Sequence, residues 1–241
     1  MPRMVSLVVA SAVLAAACGG SPTTPVSPSR MARLSRTRFA AFGDSLTTGE
    51  VTAPVVRELG FGALTVVATA AYPTVLESLL QTAYPAQASS ITVSNQGLGG
   101  ETIVDGALRF QQVFAQVGPE VVIIQEGVNG LAAVGVTSST ALMRSMVREA
   151  RNGQARVYVG SMLPTLPNRQ RSQNVALLVA YNDALRAMCV EEGATFVDLY
   201  NGMMPSVEQW IGTDGLHPNE AGYRKIADLF FEAIRSTLED R

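Results

Sequence analysis

Ser45 stands in Phe42-Gly43-Asp44-Ser45-Leu46, just past an apolar stretch, and His217 stands far downstream in Asp214-Gly215-Leu216-His217-Pro218. His217 is the only histidine in 241 residues. A serine hydroxyl is a weak nucleophile at neutral pH. It needs a base to take its proton as it attacks a carbonyl, and a third group to orient that base. Ser45, His217 and Asp214 offer a nucleophile, a base and a carboxylate, and no other imidazole could serve. Acyl transfer is the chemistry these side chains permit, provided the two distant segments meet. Metal chemistry has little support, because one His and two distant Cys cannot furnish the usual ligands of a zinc site. No cofactor is expected either.

Two distant loops need a frame that brings strand ends together. Arg38 to Gly43, Ile91 to Ser94, Val121 to Ile124, Arg156 to Gly160 and Ala194 to Asp198 read as strands. The third is wholly apolar, as befits a central strand covered on both faces. Between the strands, apolar residues recur at helical spacing over Tyr72 to Ala83 and at Ile103, Ala107, Phe110, Phe114 and Val117. Further helices are marked by Leu142, Met146, Val147 and Ala150, and by Val175, Leu178, Val179, Leu185 and Cys189. Asn219 is suited to cap a last helix running through Phe231 and Leu238. This alternation predicts a three-layer α/β/α fold around a flavodoxin-like, five-stranded parallel sheet. Sites in such sheets form beyond the C-terminal ends of the strands. Folded structure is expected from about Thr37. Thr47 to Ala71, broken by Pro54, Gly60 and Gly62, has no clean period and reads as an excursion near the site.

Four short blocks then resemble those of the GDSL or SGNH hydrolase family, in the family's order, within residues 38–237. They place Ser45 in Gly43-Asp44-Ser45-Leu46, Gly100 in Asn95-Gln96-Gly97-Leu98-Gly99-Gly100, Asn129 in Gly127-Val128-Asn129, and His217 in Asp214-Gly215-Leu216-His217. The resemblance implies that Ser45 attacks the acyl carbon, His217 moves the proton and Asp214 orients the ring. It also implies an oxyanion hole from the backbone N–H groups of Ser45 and Gly100 and the Asn129 amide. Gly130 stands where the family commonly has Asp. Asp44 is expected to stabilise the turn rather than act as a second acid, and Trp210 to pack.

The expected activity is a serine esterase working on carboxylic esters through an acyl-enzyme at Ser45. A carbohydrate O-acetylesterase and a lysophospholipase or thioesterase stay open, the substrate being a small-molecule, glycan or lipid ester. A non-catalytic surface binding lipoprotein of the same fold is the reading from another class. With 18 basic and 20 acidic residues and no basic block, the chain lacks the stripe that phosphate neutralisation needs, and nucleic-acid binding is not expected. Composition is that of one globular domain, 47% hydrophobic and 16% charged.

Met4 to Ala17 is an unbroken run of small and apolar residues, shorter than the ~20 that a membrane-spanning helix needs, and reads as a secretory segment. Ala15, Ala16 and Ala17 before Cys18 resemble a bacterial lipoprotein signal, which implies a lipid on Cys18 and a membrane anchor. Cleavage after Ala17 with Cys18 unmodified is the alternative. The run SPTTPVSPS is an extended tether. Residues 1–17 are therefore expected to be a signal peptide, 18–36 a tether and 37–241 the hydrolase domain, outside the cytoplasm, in the bacterial cell envelope or secreted. Cys189, on an apolar helix face, is expected to be structural.

Overall fold

The computed structural model describes residues 32–52 and 63–240. The stretch expected to be secretory, Cys18 and most of the expected tether lie outside the described residues. The apolar run after Pro119 takes the centre of a parallel sheet, buried at every position. The strands are β1 (Arg38–Gly43), β2 (Thr92–Gly97), β3 (Val121–Gln125), β4 (Arg156–Gly160) and β5 (Thr195–Val197). Their spatial order is β2-β1-β3-β4-β5, the flavodoxin-like order. After β2 the chain crosses back over β1 to lay down β3, so the order reverses at β1. Gly43 lies level with Gly97 on one side and Gln125 on the other. Three loops consequently emerge side by side at the reversal, where open α/β sheets bind ligands.

Helices α1 (Tyr72–Ala83), α2 (Ile103–Val117), α3 (Val136–Asn152), α4 (Val175–Glu192) and α5 (Glu220–Leu238) cover the sheet. The first packs against the last on one face, while α2, α3 and α4 pack in series on the other. Tyr72 stacks on Phe230 at 5.3 Å between ring centroids, joining α1 to α5. On the opposite face Phe42 of β1 meets the edge of Phe110 of α2 at 5.0 Å. Side chains at Thr102, Asn174 and Asn219 accept hydrogen bonds from the first turns of α2, α4 and α5, satisfying donors that have no partner inside the helix.

Three features depart from the sequence expectation. β2 runs on to Gly97 through Ser94, Asn95 and Gln96. Its pairing with β1 holds these polar residues in register, and an edge strand tolerates them because one side stays open. Arg33–Leu34 pairs antiparallel with Glu239–Asp240, so ordered chain starts ahead of Thr37. Two-residue strands carry no periodicity to detect. Thr47 to Ala71 is not wholly irregular: Glu50–Thr52 and Leu64–Val66 form a short antiparallel hairpin behind a one-turn helix, Ser45–Thr48. Pro54, Gly60 and Gly62 fall outside the described residues.

Candidate active site

Ser45 begins the one-turn helix that follows β1, and Asp44 caps it, its Oδ1 accepting from Leu46 N at 2.9 Å. This is the turn-stabilising part expected of Asp44. His217 and Asp214 lie on the loop between Ile211 and α5, which is closed at its base by Gly212 N donating to the His217 carbonyl at 2.7 Å. The loop is held to the β4–α4 connection by Leu166 N donating to the Gly215 carbonyl and Arg171 N to the Asp214 carbonyl. His217 Nε2 stands 2.9 Å from Ser45 Oγ, although the two residues are 172 positions apart. On the other side of the ring, Nδ1 is 2.6 Å from Asp214 Oδ2. Asp214 Oδ1 accepts from the backbone N–H of Leu216 and of His217, each at 3.0 Å.

The electrostatics of this line favour a charged third member. Burial works to raise the Asp214 carboxyl, but the hydrogen bonds from the His217 ring and the two backbone amides prevail and hold it below the usual carboxylate range. Ser45, Asp214 and His217 are 4%, 5% and 1% exposed, so charge interactions between them are weakly screened.

Behind Ser45 lies a second acidic group with the opposite tendency. Burial pushes the Asp44 carboxyl up to about 7, against the hydrogen bond from Leu46 and the attraction of His217. Glu126 is raised well above its ordinary value, by burial first and then by Asp44 and Glu101. Among the described residues Asp44 Oδ2, Glu126 Oε2 and the Tyr181 hydroxyl are buried with no hydrogen-bond partner, an arrangement that costs a neutral group less than a charged one. Glu101 differs, being paired with Arg109 at 2.5 Å.

Gly100 and Asn129 lie in the loops after β2 and β3, beside the Ser45 turn. Asn129 Nδ2 donates to the Glu101 carbonyl at 3.0 Å, tying the two loops together and leaving its second N–H free to point elsewhere. Among the described residues, the backbone N–H groups of Ser45 and Gly100 reach no acceptor. Gly100 has φ +77°, and a Cβ there would meet open space, so backbone conformation rather than crowding demands glycine. Gly130, where the resembled family commonly has Asp, has φ +80°, which glycine adopts without strain.

Sequence reasoning did not single out Glu50, Tyr223 or Arg171. Glu50 Oε2 is 4.0 Å from His217 Nε2, and the Tyr223 hydroxyl donates to the Glu50 carbonyl at 2.6 Å. Arg171 Nε is 3.7 Å from Asp214 Oδ2. Glu50 lay in the least periodic stretch, and Tyr223 reads as an ordinary core position of α5. Trp210 packs partly buried against the core, and Cys189 is buried, its thiol pushed up to about 12 by burial. A cleft of about 610 Å³ opens beside the histidine loop, lined by Thr52, Leu166, Arg169, Glu208, Ile211 and Thr213 among others; Ser45 and His217 do not line it. Among the described residues no cluster of His, Cys, Asp and Glu is arranged to hold a metal ion, and no helix is long and apolar enough to cross a membrane.

Residues 41–225 match the profile of the GDSL-like Lipase/Acylhydrolase family. No curated protein sequence matches the chain. Among solved structures, a lipase/acylhydrolase from Enterococcus faecalis is 18% identical, with a TM-score of 0.67 over 85% of this chain and 98% of its own. An α/β hydrolase, LAE5, from the metagenome of Lake Arreo is 20% identical, with a TM-score of 0.66 over 82% of this chain and 94% of its own. The acetylxylan esterase Axe2 of Geobacillus stearothermophilus is 22% identical, with a TM-score of 0.64 over 83% and 94%. At such identities the likeness is one of fold.

Proposed function

The chain belongs to the GDSL-like lipase/acylhydrolase family and is an ester-bond hydrolase, and from that premise we propose that it works through an acyl-enzyme on Ser45. His217 accepts the Ser45 proton through Nε2 as Oγ attacks the acyl carbon, then delivers it to the departing alcohol. Asp214 fixes the proton on Nδ1 and stabilises the imidazolium that forms. The negative charge developing on the carbonyl oxygen is received by the Ser45 and Gly100 backbone N–H groups and the free N–H of Asn129. Water then repeats the sequence on the acyl-enzyme. The observation that carries this reading is the unbroken line from Ser45 Oγ to Nε2 at 2.9 Å and from Nδ1 to Asp214 Oδ2 at 2.6 Å.

The direct test is hydrolysis of p-nitrophenyl acetate by the wild type and by Ser45→Ala. Turnover in the wild type with loss of at least a thousandfold in the variant supports the reading. Undiminished turnover in a folded Ser45→Ala protein removes it, as does a wild type inert toward all simple esters, which would favour a binding role instead.

The apolar run Met4 to Ala17 and the small residues before Cys18 support export followed by lipid attachment at Cys18. The residues between Cys18 and the folded part, which has begun by Arg33, would then tether the hydrolase domain to a membrane. The mass of the mature N-terminal peptide checks this: a diacylglyceryl-modified Cys18 is the expected species, and an unmodified Cys18 removes the anchor.

A further inference from the structure

We propose that Glu50 determines which alcohol the enzyme releases, favouring esters of neutral polyols such as glycerol or sugars and rejecting alcohols that carry an anion. The inference rests on the esterase reading above and adds a substrate class to it. To receive a proton from His217, the leaving oxygen must come within about 2.6–3.2 Å of Nε2. Glu50 Oε2 already stands 4.0 Å from that same atom. The leaving oxygen and the Glu50 carboxylate are then at most roughly 7 Å apart, so a group one or two carbons beyond the ester oxygen is within reach of the carboxylate.

Several features hold the carboxylate at this place. Glu50 pairs with Val66 in the hairpin, and its carbonyl accepts from the Tyr223 hydroxyl at 2.6 Å. Its side chain lies over Gly99, where any Cβ would collide with the carboxylate. This position borders Gly100, so Glu50 spans from the imidazole to the turn assigned to the oxyanion. The side chain is 17% exposed, which makes it reachable by substrate yet partly shielded. No lysine or arginine among the described residues pairs with it, whereas Arg109 is occupied by Glu101.

Asp44 feels Glu50 as a repulsive charge, which puts the Glu50 carboxylate within electrostatic reach of the Ser45 turn. A hydroxyl on the carbon next to the ester-bearing carbon can donate to Glu50, whereas a carboxylate or phosphate there meets repulsion. Of the ester classes open on sequence grounds, glycan esters fit this environment, and lysophospholipids, which carry a phosphate close to the scissile bond, do not.

Three acetate esters that differ only in the alcohol test this: 2-hydroxyethyl acetate, its methyl isostere propyl acetate, and the anion acetoxyacetate. Acetate release gives kcat/KM for each, divided by its rate of alkaline hydrolysis to remove intrinsic reactivity. The wild type is expected to prefer the hydroxyethyl over the propyl ester by about tenfold, the worth of one charge-assisted hydrogen bond, and to disfavour the anion by at least as much. Glu50→Ala should bring the hydroxyethyl-to-propyl ratio near unity and raise the anion relative to the propyl ester about tenfold. Glu50→Gln, which keeps an acceptor but no charge, should relieve the rejection of the anion and retain part of the hydroxyl preference. In the wild type alone, added salt should weaken the discrimination against the anion. Ratios within twofold of wild type in both variants, with hydrolysis continuing, overturn the role of Glu50 and leave the esterase reading standing. No hydrolysis of any of the three by a wild type that cleaves p-nitrophenyl acetate overturns the inference alone; inertness toward p-nitrophenyl acetate as well overturns both.

Discussion

Replacing Asp214 by Asn changes one atom and should nearly abolish turnover. Asp214 Oδ1 accepts two backbone N–H groups, from Leu216 and His217, at 3.0 Å each. In the variant the amide oxygen must take that place, because an NH2 group there would face two donors. The Asn NH2 is thereby turned toward Nδ1, where Oδ2 stood at 2.6 Å. A donor facing Nδ1 forces the ring proton onto Nε2, and a protonated Nε2 cannot accept from Ser45. Flipping the amide to rescue the tautomer forfeits both backbone hydrogen bonds, at about 1–3 kcal/mol each for buried groups. Arg171, 3.7 Å from Oδ2 and 46% exposed, favours the flip only weakly. A tautomer penalty of about 2–6 kcal/mol, with the lost stabilisation of the imidazolium, leads to a fall in kcat of about 10⁴-fold, the size seen when a serine-protease triad suffers the same exchange. Initial rates on p-nitrophenyl acetate, with thermal unfolding to show an intact fold, measure it. A folded Asp214→Asn protein within tenfold of wild-type kcat would refute the tautomer argument.

Two further outcomes follow from the same geometry. Asn129→Ala should lower kcat by about 100–1,000-fold with KM changed far less, because the amide acts on charge that develops in the transition state; an effect confined to KM would place Asn129 in ground-state binding. Asp44 binds its proton more tightly folded, with its carboxyl pushed up to about 7, than unfolded, at 3.8. Wild-type stability is accordingly lost as pH rises through that window, by at most ~1.4 kcal/mol per pH unit for one proton. Asp44→Asn, which keeps the acceptor for Leu46 but cannot ionise, should gain in melting temperature relative to wild type between pH 5 and 7.5. A gap that is flat or narrows with pH would mean that Asp44 is ionised throughout.

Much of the frame was legible because burial writes itself into periodicity. Val121 to Ile124 can be covered on both faces only as a central strand, and the four-and-three spacing from Ile103 to Val117 leaves α2 one apolar face. Asn219 marked the start of α5 through a local hydrogen-bonding preference that acts within a few residues. The meeting of Ser45, His217 and Asp214 was legible for a different reason: with a single imidazole in the chain, His217 was the sole candidate base. Glu50 was not legible, since its importance comes from a hairpin whose strands are three residues long and from an approach to His217 that only tertiary packing creates. The polar end of β2 was missed likewise, because pairing with β1 rather than side-chain burial keeps Ser94 to Gly97 extended.

The central claim is that Ser45 Oγ becomes covalently bonded during turnover. An alkyl fluorophosphonate, which forms a stable ester with an activated serine, tests it by intact mass and peptide mapping. One phosphonyl group on the peptide containing Ser45, lost in Ser45→Ala together with ester hydrolysis, is the predicted result. A label on a different residue, or an unlabelled protein that still hydrolyses esters, would contradict it.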